Sequence, residues 1–253
     1  EVSVLPVMEL LKSITTKLNG EYKKNKKEED VYFFRISTEI GSKKELAEAF
    51  MTARSAVNLR NISLLSGRRG LQSGDSLTSS LLDNVNFHHP LELGAMTPDV
   101  SFWNSLSTPI LKKFDKEYYN QHYKVSVSQI DSRESEPILC FNFEKKENSQ
   151  PVTLLTGKLY VEAKTLKLLR FEGIIPSLGM EVTNQRVDGQ TIVDLLVNAD
   201  YTHEDGYAKV ANISATIFNE GFKSHALLYR MDTLSIATKG KKKVKDNLLK
   251  TID

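Results

Sequence analysis

The pattern of apolar and polar positions changes period twice along this chain, and each change marks a change of structure. Val7, Leu10, Leu11, Ile14 and Leu18 recur at helical spacing and gather into one stripe. Pro6 suits a helix's first turn and Gly20 its end, so a helix is predicted between them. The mixed-charge run Glu21 to Asp30 reads as a solvated connection.

From Val31 the period is two. Tyr32, Phe34, Ile36, Thr38 and Ile40 share one side of a strand, with Arg35, Ser37 and Glu39 on the other. A second stretch sets Ala47, Ala49, Met51, Ala53, Val57 and Leu59 against Glu48, Thr52, Arg54, Asn58 and Arg60. This predicts a strand, with helix as the rival for Lys43 to Ala56 because Ala, Glu, Leu and Lys are good helix formers. Residues 66–98 read as a long irregular loop, and Thr108-Pro109 opens a short helix with Ile110, Leu111, Phe114 and Tyr118.

The second half alternates almost throughout. Tyr123, Val125 and Val127 begin it; Leu139, Phe141 and Phe143 follow, then Leu155, Leu159 and Val161. Leu169 and Phe171, Val193 to Tyr201, Ala211 to Ile217, and Leu227, Tyr229 and Met231 complete it. Turn residues at Lys164-Thr165, Asp188-Gly189 and Glu204-Asp205-Gly206 join these runs. Strands linked so closely pair antiparallel, since a parallel neighbour needs a crossover of a dozen or more residues. The fold class expected is α+β: a curved antiparallel meander of about eight to eleven strands, an open half-barrel covered by two or more helices. Residues 1–236 form one domain in this reading, and 237–253 a basic tail.

Composition narrows the function classes. The 253 residues carry 34 basic and 32 acidic side chains, a net charge of +2 that gives no strong electrostatic attraction to nucleic acid. Cys140 is the one cysteine, which excludes a disulfide within the chain and a cysteine-rich metal site. No apolar run approaches the ~20 residues of a membrane-spanning helix. No cofactor is implied.

Candidate chemistry is sparse. Gly74-Asp75-Ser76-Leu77 resembles the nucleophile motif of the GDSL esterases, and Asp200-Tyr201-Thr202-His203 resembles their late Asp-x-x-His. On that reading Ser76 attacks, His203 is the base and Asp200 orients it. Against it, Gly-Leu-Gln-Ser precedes the motif instead of a buried strand, no Gly-x-Asn is present for the oxyanion hole, and the meander is not the family's parallel sheet. His88, His89 and Glu92, or His203, Glu204 and Asp205, lack the i, i+4 histidine pair of a helical metal site, so no metal is expected.

The layout of the chain carries a family resemblance. A helix with Leu10-Leu11-Lys12-Ser13-Ile14 leads to the aromatic strand Tyr32-Phe33-Phe34-Arg35, then to the Glu48 strand and a long polar loop. The hairpin from Gly157-Lys158-Leu159-Tyr160-Val161-Glu162 to Leu169-Arg170-Phe171-Glu172 follows. This is similar to the region after a carboxypeptidase-regulatory-like β-sandwich in envelope proteins of Bacteroidetes, and the hairpin resembles those of LolA/LolB-like lipoprotein carriers. Glu1-Val2-Ser3-Val4 resembles the sandwich's closing strand, which implies the C-terminal part of a longer protein. The resemblance implies an exported periplasmic or surface protein without catalysis, whose concave sheet face accepts an apolar or lipid-like ligand or meets an envelope protein partner. Phe102, Trp103, Phe141, Phe143, Phe171 and Tyr201 are the expected lining.

Overall fold

The computed structural model describes residues 6–24, 29–40, 43–55, 59–72, 114–130, 136–147, 156–184, 187–204, 206–220, 222–231 and 249–252. Helix α1 spans Val7–Lys24. Three strands follow, β1 (Asp30–Ile40), β2 (Lys43–Ser55) and β3 (Leu59–Gln72), then helix α2 (Lys116–His122). The remaining strands are β4 (Tyr123–Ile130), β5 (Ile138–Lys145), β6 (Thr156–Glu162), β7 (Leu168–Asn184), β8 (Val187–Glu204), β9 (Tyr207–Asn219), β10 (Phe222–Arg230) and β11 (Leu249–Ile252).

The eleven strands of the described residues form one open, curved sheet in the order β11-β3-β2-β1-β10-β9-β8-β7-β6-β5-β4. The meander runs inward from β4 to β10, and β1 then pairs antiparallel with β10, opposing Phe34 to Leu228. The expected α+β half-barrel is therefore what the chain forms. Its strand alternation sorts side chains cleanly. Leu195, Val197 and Ala199 of β8 are buried, whereas Leu196 between them is 40% exposed. One face of the sheet is apolar, and α1 lies over it, contacting β9 and β4.

Helix α1 is shaped for that position. Leu11, Ile14 and Leu18 are buried in the same core as Tyr32, Phe34, Phe141 and Phe171. Ala49, Ala53, Ala199, Ala215 and Ala226 face this core, and such small side chains let a helix approach the sheet. The Pro6 carbonyl accepts from the Glu9 and Leu10 amides at 2.8 and 3.2 Å, and Glu9 complements the helix dipole. At the far end Lys17 Nζ donates to the Thr165 carbonyl, and Glu21 Oε2 accepts the Ala208 amide at 3.1 Å. Two polar clasps thus tie α1 to the β6–β7 turn and to the start of β9.

Several sequence expectations are corrected. Gly20 lies inside α1, not at its end. The stretch from Ala47 to Leu59 divides into β2 and β3 rather than forming one strand, and β3 continues to Gln72, into the segment read as loop. Helix α2 is capped by Asp115, whose carboxylate accepts the Tyr118 amide at 3.1 Å, while the helix start expected at Thr108-Pro109 lies outside the described residues. Leu168 is buried where Leu169 was expected, because the β6–β7 register shifts beside Tyr160 and Val161. In the tail, β11 pairs parallel to β3 through Leu249 and Gly67, a pairing for which a cluster of lysines gives no signal. Asp188-Gly189 sits within β8, so the β7–β8 turn comes earlier.

Two glycines yield opposite expectations. A Cβ on Gly157 would sit 2.1 Å from the Glu172 carbonyl oxygen and 2.7 Å from Gly173 Cα, so backbone would have to move. A Cβ on Gly20 meets nothing within 4 Å. Gly157→Ala is expected to destabilise by about 3 kcal/mol or more, and Gly20→Ala to stabilise by about 0.5–1 kcal/mol. Urea denaturation of both variants measures the contrast.

Candidate functional site

The concave side is the first candidate, since it carries the residues expected to line a ligand site. Phe141, Phe143 and Phe171 are fully buried and Tyr201 is 7% exposed, all in the one core beneath α1. β5 supplies the first two, β7 and β8 the others, and the two-residue period points all four to the same face. Phe102 and Trp103 lie outside the described residues. Burial raises the Tyr201 phenol well above its ordinary pKa, with the Asp200 charge adding to it, so this ring stays neutral.

An aromatic corner that sequence reasoning missed closes one end of this core. Tyr119 of α2 packs on Phe143 with ring centroids 6.1 Å apart, and Tyr123 meets Phe143 edge-on at 6.1 Å. Phe114 stacks on Tyr119 at 5.8 Å. Burial raises both tyrosine pKa values, so the corner is uncharged throughout the physiological range. The spacing of Phe114, Tyr118, Tyr119 and Tyr123 carries this signal, which a helical stripe through Phe114 and Tyr118 alone does not include.

Asp200 and His203 do not form a catalytic pair. They stand at odd separation on β8, so their side chains leave opposite faces of the sheet. Arg170 Nε lies 3.8 Å from Asp200 Oδ1. His203 Nε2 lies 2.6 Å from the Leu168 carbonyl oxygen; a carbonyl only accepts, so the ring donates from Nε2. Its Nδ1 is buried without a hydrogen-bond partner among the described residues. Asp200 therefore does not orient His203. Ser76 lies outside the described residues, as do His88, His89 and Glu92. Among the described residues no group of three or more His, Cys, Asp or Glu side chains could hold a metal.

Glu204, which follows His203, belongs to a cluster of fixed charges. Arg230 Nη2 donates to Glu204 Oε1 at 2.5 Å, and Arg230 Nε lies 3.4 Å from Asp30 Oδ1. Lys209 Nζ is 3.5 Å from both Asp30 and Glu204, with a side chain only 4% exposed. Four strands, β1, β8, β9 and β10, thus meet at paired charges, and each buried cation has carboxylate neighbours. The cluster clamps the start of β1 onto the meander.

No family model matches the chain, and no curated protein matches it. Solved structures align with most of the chain at low identity. A LolA superfamily protein from Nitrosomonas europaea is 12% identical, with 88% of this chain and 91% of that one covered at a TM-score of 0.35. A Vibrio parahaemolyticus domain named for outer membrane lipoprotein sorting is 9% identical over 90% of this chain and 94% of that one, TM-score 0.37. A DUF1329 family protein from Desulfovibrio piger is 10% identical over 89% and 95%, TM-score 0.33. No residue's role is carried over from them.

Two outcomes follow. With Asp200 and His203 unpaired, a fluorophosphonate probe should leave Ser76 unlabelled; labelling at Ser76 would revive the hydrolase. The hydrogen bond from Arg230 lowers the Glu204 pKa below its ordinary 4.5, so its stabilising effect is full above that value and fades as pH falls through the lowered one. Acid titration of stability should therefore be flatter for Arg230→Met than for the parent.

Proposed function

We propose that the chain is a non-enzymatic binding domain of the cell envelope that takes an apolar, acyl-type ligand between the concave sheet face and α1. The observation that supports this most is the continuity of the apolar face. Buried apolar side chains run from Met51 on β2 through Leu228, Ile213, Val197 and Phe171 to Phe143 on β5, under one amphipathic helix held by two polar clasps.

Helix and ligand would compete for the same surface, and magnitudes favour exchange. Leu11, Ile14 and Leu18 together contribute about 5–9 kcal/mol of burial, at 1.5–3 kcal/mol for each side chain. A chain of about 14 methylenes contributes roughly 11 kcal/mol at 0.8 kcal/mol each. Phe141, Phe143, Phe171 and Tyr201, together with Phe102 and Trp103, would then line the ligand. The proposal includes the periplasmic or surface location. A Bacteroidetes envelope protein of the type associated with a carboxypeptidase-regulatory-like domain is the proposed source.

A dansylated undecanoic acid probe tests the ligand directly. Binding should shift its emission to the blue, and organic extraction of protein purified from envelopes should release lipid. An unshifted probe with a lipid-free extract would refute the proposal. Lys17→Ala combined with Glu21→Ala opens both clasps and should speed probe entry in stopped flow.

A further inference from the structure

The face of the sheet turned away from α1 has its own order. The antiparallel register places Asn142, Lys158, Glu172, Asn198 and Ser214 side by side across five consecutive strands, β5 to β9. The neighbouring rung brings Thr156, Ile174, Leu196 and Thr216 into line across β6 to β9. Between the rungs lies an open groove of about 410 Å³, with Gly157 and Gly173 at the close approach of β6 and β7. That volume is within the roughly 300–1,000 Å³ typical of small-ligand sites.

We propose that this groove binds a neutral saccharide chain. The carboxylates and carboxamides of Glu144, Glu172, Asn142 and Asn198 are planar, and several are already oriented. Asn142 Nδ2 donates to Glu144 Oε1 at 2.8 Å, and the Tyr160 hydroxyl donates to Glu172 Oε1 at 2.6 Å. Arg170 Nη2 lies 3.5 Å from the other Glu172 oxygen, and Asn198 Nδ2 donates to Ser214 Oγ at 3.4 Å. Carboxylates and carboxamides held in place can each take two adjacent hydroxyls, and prior ordering lowers the cost of binding. Most of the groove's exposed lining is apolar, with Leu196, 40% exposed, and Ile174 beside these polar heads. A pyranose has the same division, with C–H bonds on its faces and hydroxyls around its edge.

Other ligand classes fit worse. Glu144 and Glu172 are balanced by Lys158 and by Arg170 beside Glu172, so the groove has no net charge with which to attract phosphates, nucleic acids or fatty acid carboxylates. An extended peptide cannot add as a strand, because β5 to β8 are hydrogen-bonded on both sides.

The test is saturation-transfer NMR of the intact chain with chitotriose, cellotriose and mannotriose, with spermidine and inorganic phosphate as charged comparisons. At least one trisaccharide should receive saturation and shift the Leu196 methyl signals. Asn198→Ala and Lys158→Ala, both on the wet face, should each weaken that trisaccharide's binding about tenfold while leaving the melting temperature and the uptake of the acyl probe unchanged. Silence from all three trisaccharides, a Leu196 shift produced by spermidine or phosphate instead, or trisaccharide affinity indifferent to both substitutions would overturn the assignment.

Discussion

The organising constraint is that a wide sheet with one apolar face has to hide that face from water. Antiparallel strands of alternating pattern place half their side chains on each side, and a wide sheet curves as it twists. Curvature brings the inner residues of distant strands toward one another, which is how Met51 of β2 and Phe143 of β5 come to share a core. The remaining opening is covered by α1, whose buried residues Leu11, Ile14 and Leu18 complete the interior. Each feature of α1 serves this placement: a narrow apolar stripe, and polar clasps only toward its C-terminal end.

Charge is used sparingly and at the seam. Sequence order would leave β1 remote from β10, yet they are neighbours in the sheet. The pairing is sealed where β1 starts: Asp30 meets Arg230 and Lys209, while the Tyr32 hydroxyl donates to the Val210 carbonyl at 3.1 Å. Glu204 completes the cluster from β8. Removing one partner would leave a buried charge uncompensated, a larger penalty than the gain from any exposed ion pair such as Lys44–Glu39. The seam therefore joins the first strands of the chain to its last hairpins.

Much of this was legible in the chain itself, for identifiable reasons. Alternation fixes faces wherever one side is buried, so Phe141, Phe143, Leu159, Val161 and Phe171 were read as inward-facing without knowing the partners. Local spacing fails where tertiary contacts decide. Gly20 continues a helix because Glu21 beyond it is held by the Ala208 amide. A register shift turns Leu168 inward in place of Leu169. β11 joins β3 through backbone hydrogen bonds that a lysine-rich segment does not advertise. Motif spacing failed for a related reason: Asp200 and His203 have the interval of a catalytic pair, but a strand sends them to opposite sides. The wet-face groove was invisible as well, since cross-strand neighbours such as Lys158 and Glu172 acquire meaning only once the register is known.

The concave face as a surface shared between helix and acyl chain is tested most directly by hydrogen exchange along the chain, with and without saturating dansylated undecanoic acid. The account predicts that residues 7–24 lose protection when the ligand is bound while β5 to β9 retain theirs. Bound ligand with α1 as protected as before would contradict it, because the chain would then be held somewhere other than beneath the helix.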